Sequence, residues 1–315
     1  MSSFAAALVE PFGHGFMQNA FAAIVLVGII CGVMGVFVTL RSLAFMGDAM
    51  AHAVFPGVVI SYVIGGSFLV GAVVAATIVS LAIGFVSQSG LVRHDTAIGV
   101  FFVGSFALGV AIISTQQSYA RDVTSLLFGS ILGVSRGDLF LTAAVGLGVL
   151  IVLWLARREV VTIAFDRTFG QSQGLNLWGW DQLFLLLLSF TIVIALQTVG
   201  NVLVLAMLVT PAATARLLSV RLERMVAISA VLGAFSGITG LYISYYWGIS
   251  SGASIVLVAT ALFIAVFLFA PRTGAITTRV ARQLHFPHPE RDRFPEQEAA
   301  GSRASSPGPA SPPPV

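Results

Sequence analysis

Between Asn19 and Val92 the strongly ionisable side chains are Arg41, Asp48 and His52. Asp48 and His52 stand four residues apart in the run Phe45-Met-Gly-Asp-Ala-Met-Ala-His-Ala-Val-Phe-Pro-Gly57. On a helix that spacing puts both on one face, roughly 5–6 Å apart at Cβ. A carboxylate oxygen and an imidazole nitrogen so placed can close on one divalent cation, and mixed O and N donors suit Mn, Zn or Fe. An ionisable group inside a bilayer costs about 2.5–3.5 kcal/mol on insertion scales, so function is the default reading of such a pair. Two plainer readings stay open. Asp48 and His52 form an ion pair that satisfies itself, or Asp48 pairs with Arg41, seven residues back on nearly the same face. Two ligands are fewer than the four of a structural zinc site. Incomplete coordination suits a path from which the ion must leave again. Gly47, Ala49, Ala51 and Ala53 keep the flanks small for close helix packing. Pro56-Gly57 can kink or interrupt the helix just beyond the pair.

The elements that position this pair must lie in a membrane. The chain has 315 residues, 57% apolar and 9% charged, against roughly 25% charged in a soluble domain. Only 19 charged residues precede Pro271, too few for the shell of a soluble core. The composition predicts an all-α polytopic membrane protein with eight or nine transmembrane helices. Spans of ~20 apolar residues fall near 16–40, 42–65, 67–88, 96–116, 138–156, 182–199, 201–215, 225–246 and 252–270. The segment 123–135 is too short to span and reads as a re-entrant or interfacial helix. Placing Arg41, Arg93, Arg157, Arg158, Arg167, Arg216, Arg221 and Arg224 inside puts the N-terminus outside and the C-terminus inside. Residues 1–284 read as the transmembrane domain. Residues 285–315 read as a disordered Pro/Ser-rich cytoplasmic tail, which cannot bury a core. His285 and His288 there read as unstructured decoration.

Composition and motifs exclude several classes. All 16 basic residues are Arg and none is Lys, so no P-loop lysine exists to reach a nucleotide's phosphates. If the work costs ATP, another polypeptide binds it. Cys31 is the single cysteine, too few for a disulfide or a thiolate metal cluster, and reads as a small packing residue. HExxH and GxGD are missing, so the chain is read as no enzyme. A net charge of +3 with no basic-aromatic patch gives no sign of nucleic-acid binding. No cofactor bound by the chain itself is expected.

A second stretch, Leu203 to Arg224, ends an apolar span at Thr210-Pro211. It then reads as a short amphipathic helix running into basic residues. Small Ala212, Ala213 and Ala215 would let that helix enter a partner's groove. An ordinary interfacial turn with positive-inside arginines is the plainer alternative.

The motifs together resemble the membrane permeases of ABC-type manganese, zinc and iron importers. They are Met46-Gly-Asp-Ala-Met-Ala-His-Ala-Val-Phe-Pro-Gly57, Asp95-Thr-Ala-Ile-Gly99, Leu127-Phe-Gly-Ser-Ile-Leu-Gly133, Phe165-Asp166 and Leu208-Val-Thr-Pro-Ala-Ala-Thr-Ala-Arg-Leu-Leu218. They occur in family order over about residues 15–270. The resemblance implies a type II ABC importer fold in the bacterial cytoplasmic (inner) membrane. It implies a homodimer of permeases on two ATP-binding subunits, fed by an extracytoplasmic solute-binding protein. It assigns cation binding to Asp48 and His52. It also assigns docking on the ATPase to Pro211, Ala212, Ala213, Thr214, Ala215, Arg216, Leu217, Leu218, Arg221, Glu223 and Arg224. Two departures are Gly170, where the family often has Ala, and Gly248-Ile-Ser250 just before Ser-Gly-Ala253, where the family often has an Asp and a Pro. The alternatives are a proton-coupled secondary carrier using Asp48 and His52 as a relay, and an ABC permease for a chelate such as a siderophore.

Overall fold

The computed structural model describes residues 10–13, 15–115 and 131–270. The expected re-entrant segment falls mostly outside these, as does the Pro/Ser-rich tail. Of the former, Ile131–Gly133 forms a 3-10 turn.

Nine helical segments among the described residues are long and apolar enough to cross a membrane. They are α1 (Gly15–Leu40), a broken second span of α2 (Ala44–Ala53) and α3 (Phe55–Val63), α4 (Phe68–Gln88) and α5 (His94–Ser114). Next comes α6 (Arg136–Leu155). Two short helices follow, α7 (Arg157–Phe165) and α8 (Arg167–Ser172). The last spans are α9 (Leu177–Val199), α10 (Asn201–Leu218), α11 (Leu222–Trp247) and α12 (Ser251–Phe269). The expected merging of spans around residue 200 resolves into two helices, which makes nine among the described residues.

The most enclosed elements are α1 and α9. Between membrane helices close backbone approach replaces the hydrophobic drive of water, and α1 with α11 provides it. A Cβ added at Gly28 would lie 2.8 Å from the Gly233 carbonyl carbon, and one at Gly233 would strike the Gly28 carbonyl. One turn on, Ser229 Oγ donates to the Gly32 carbonyl at 2.7 Å. Buried hydroxyl pairs join α9 to its other neighbours: Ser80–Ser189 at 2.6 Å to α4 and Thr142–Thr198 at 3.0 Å to α6. Where α6 begins, Ser135 and Asp138 cap each other's backbone N–H groups at 3.2 Å, a reciprocal box that satisfies two orphan donors.

One expectation needs correction. The Leu203–Arg224 stretch holds no separate amphipathic helix after Pro211. Instead α10 runs through Pro211 to Leu218, and α11 starts at Leu222, with three residues between. Packing sustains the helix past its proline: Ala212 and Ala215 are buried against Val36 of α1 and Met225 of α11. Those alanines are small so that α10 can meet its own chain, and they are not presented to a partner's groove. In the second span the interruption falls at Val54, and Pro56 sits in the first turn of α3, where its missing N–H costs nothing.

Candidate functional site

Helix α2 buries Met46, Gly47, Ala49, Met50, Ala51 and Ala53, which leaves Asp48 and His52 together on its remaining face. Asp48 Oδ1 stands 3.7 Å from His52 Nε2, and the side chains are 35% and 25% exposed. At 3.7 Å the pair is not a hydrogen bond, and Asp48 has no other hydrogen bond among the described residues. The two groups are within ion-pair reach without being closed into a hydrogen bond. Phe102 and Phe106 of α5 wall the imidazole, with ring centroids 5.5 and 5.6 Å away. Among the described residues no three His, Cys, Asp or Glu gather around one point.

A third polar side chain reaches the pair. Asn201 Nδ2 lies 3.0 Å from His52 Nε2 and 3.4 Å from Nδ1. Asn201 opens α10 directly after Gly200, whose φ of 84° lets a single residue join α9 to α10. The tip of this hairpin is buried, with Val199 0% and Asn201 6% exposed. His52 is eight residues from Ala44, and Asn201 fifteen from Arg216. At ~1.5 Å per helical residue, Ala44 to His52 and Asn201 to Arg216 rise about 12 and 22 Å, within a hydrocarbon core ~30 Å thick.

Arg41 does not pair with Asp48. Its Nη1 meets Asp181 Oδ1 at 2.8 Å, its Nη2 reaches the Val160 carbonyl at 3.5 Å, and its guanidinium lies 4.5 Å over the Phe184 ring. Arg167 binds the other Asp181 oxygen at 2.6 Å. Burial draws the Arg41 pKa below its ordinary value, and Asp181 opposes that shift. The cluster opens on a 930 Å³ cleft whose lining includes Gln88, Asp95 and Gln182.

The residues assigned to docking divide by exposure. Pro211, Ala212, Thr214 and Ala215 are buried, and Ala213 and Leu217 are half-buried. Arg216, Leu218, Arg221, Glu223 and Arg224 are exposed. Arg216 Nη1 donates to the Thr39 carbonyl at 3.2 Å, which fixes the α10 end beside that of α1. The Phe165-Asp166 motif also has a local role: Asp166 caps α8, accepting from the Phe169 N–H at 2.9 Å. Exposed Phe165 and Phe169 flank that cap. At Gly170 an added Cβ would meet side chains at 3.4 Å, ordinary contact, so the departure from Ala is sterically neutral.

Asn201 and Asp181 were not predicted as site residues. Asp181 fell just before an expected span, and Asn201 at the first residue of another. A polar residue after glycine inside a long apolar stretch was the available signal.

Nine apolar spans among the described residues, around a part-exposed polar pair, define a multi-pass membrane protein. The chain belongs to the ABC 3 transport family, whose profile it matches over residues 13–270. It is 47% identical over 268 residues to the manganese transport system membrane protein MntC of Halalkalibacterium halodurans, covering 85% of this chain and 92% of that relative. It is 35% identical over 282 residues to the chelated iron transport system membrane protein YfeC of Yersinia pestis, covering 90% and 96%. A solved structure, PsaBC from Streptococcus pneumoniae in complex with Fab, superposes with a TM-score of 0.77 at 34% identity, covering 89% of this chain and 99% of that one. The chain is thus the permease subunit of an ABC importer, in the bacterial inner membrane.

Proposed function

We propose that this permease carries a divalent transition-metal cation, and that Asp48 and His52 bind the ion in transit. The observation that carries the reading is the under-partnered pair itself: a carboxylate and an imidazole 3.7 Å apart, part-exposed, deep in an apolar bundle. A purely structural pair at that depth would be closed into hydrogen bonds. The manganese and iron names of the relatives support the choice of cargo. Membership of an ABC family favours ATP as the energy source over a proton relay.

ATP is bound by a separate subunit, since this chain has no Lys for a P-loop. Its docking surface includes the exposed end of α10 and start of α11: Arg216, Leu218, Arg221, Glu223 and Arg224. Buried Pro211, Ala212, Thr214 and Ala215 transmit movement from that surface and do not touch the partner. An extracytoplasmic solute-binding protein delivers the ion. A second copy, related by a two-fold axis, brings a second Asp48–His52 pair to one path. Residues 1–284 make up the membrane domain, and 285–315 a tail outside the transport machinery.

Metal uptake in cells carrying Asp48→Ala or His52→Ala, at normal membrane abundance, tests the assignment. The expected result is uptake at background. Uptake at the unmodified level refutes it.

A further inference from the structure

We infer that Asn201 is a third ligand of the transported cation and biases the site toward Mn. The inference rests on the proposal that Asp48 and His52 bind the ion. Asn201 is 6% exposed, yet its Oδ1 has no hydrogen-bond partner among the described residues. A buried carbonyl oxygen left unmatched is costly. Here it belongs to an amide whose nitrogen already touches the imidazole at 3.0 Å.

The two ends of the amide have different jobs. Nδ2 only donates, so its contact with Nε2 uses the ring lone pair that a cation needs. Cation binding therefore requires the amide to turn about Cβ–Cγ. A half-turn exchanges the two ends and brings Oδ1 to the position next to the ring that Nδ2 holds. Asp48 Oδ1 lies 3.7 Å from the same Nε2. One carboxylate oxygen, one imidazole nitrogen and one amide oxygen then converge from α2 and α10.

Carboxylate and carbonyl oxygens suit Mn, whereas Zn is held well by imidazole and needs fewer oxygens. A neutral second oxygen raises the hold on Mn without adding charge, so the ion is still released. The placement also depends on Gly200, whose φ of 84° starts α10 with Asn201 against the pair.

The test is uptake of Mn and of Zn by cells expressing the intact importer with Asn201→Leu, Asn201→Asp or Asp48→Ala. Membrane abundance and thermal stability of each purified complex are measured alongside. Asn201→Leu keeps the volume and removes the oxygen. It is expected to raise the apparent KM for Mn by roughly 10–100-fold and that for Zn much less. Asn201→Asp restores an oxygen donor and is expected to recover Mn uptake. Asp48→Ala is expected to abolish both. Loss with Asp48→Ala but an unchanged Mn KM and Mn-to-Zn ratio in Asn201→Leu overturns the inference alone. Normal uptake in Asp48→Ala overturns the cation-site proposal beneath it. An equal loss of Mn and Zn in both Asn201 variants, with lowered stability, makes Asn201 structural and also overturns the inference.

Discussion

Two polar clusters sit in this bundle, and they are built in opposite ways. In the first, both oxygens of Asp181 are taken, by Arg41 at 2.8 Å and Arg167 at 2.6 Å, and of the Arg41 nitrogens only Nε lacks a partner. In the second, Asp48 has one loose neighbour at 3.7 Å and Asn201 Oδ1 has no partner. Charge in a low-dielectric interior is tolerated when it is matched. The matched cluster joins α1, α8 and α9 and works as a fastening. Under the proposed function, the unmatched one is left open for the transported ion.

Breaking the unmatched cluster should give the largest effect on transport and the smallest on the fold. Asp48→Asn removes the charge without changing the volume. Metal uptake should fall to background while the melting temperature of the purified complex stays equal or rises. A large drop in melting temperature would mean that Asp48 fastens the bundle as Asp181 does.

Breaking the matched cluster should reverse the pattern. Asp181→Ala leaves Arg41 buried and unpaired, with a cost of roughly 3–5 kcal/mol readable by thermal or denaturant unfolding in detergent. Per permease that remains folded, uptake should be largely kept. Arg167 shares Asp181 but its side chain is 63% exposed. Arg167→Ala should therefore cost about 1 kcal/mol or less. Equal costs for the two variants would show that the exposed arginine is as necessary as the buried one. The smallest change is Gly170→Ala, expected within about 0.5 kcal/mol of neutral, because the added methyl finds ordinary contact.

Much of the architecture was legible from composition and apolar run length. The ends of α1, α4, α11 and α12 fall within about three residues of expectation, as suits segments sized by a bilayer. The Asp48–His52 pair was legible because helical spacing is a local property. The partner of Arg41 was not, because Asp181 is 140 residues away and its approach depends on how α1 and α9 pack. Asn201 was missed for the same reason: it meets His52 across 149 residues. The Pro211 expectation failed where a local rule for proline lost to burial of Ala212 and Ala215. Local periodicity reports which face a residue lies on. It does not report what the other helices bring to that face.

The crossing of α1 and α11 has a consequence for how the chain is made. Gly28 and Gly32 find their close partners in Gly233 and Ser229, some 200 residues downstream. At roughly 5–20 residues per second of synthesis, α1 waits on the order of 10–40 s in the membrane before α11 emerges. During that interval its glycine face is bare to lipid or to provisional neighbours. Substitutions at Gly28 should therefore act late in biogenesis, as failure of a completed chain to close, and not as failure of the first helix to insert.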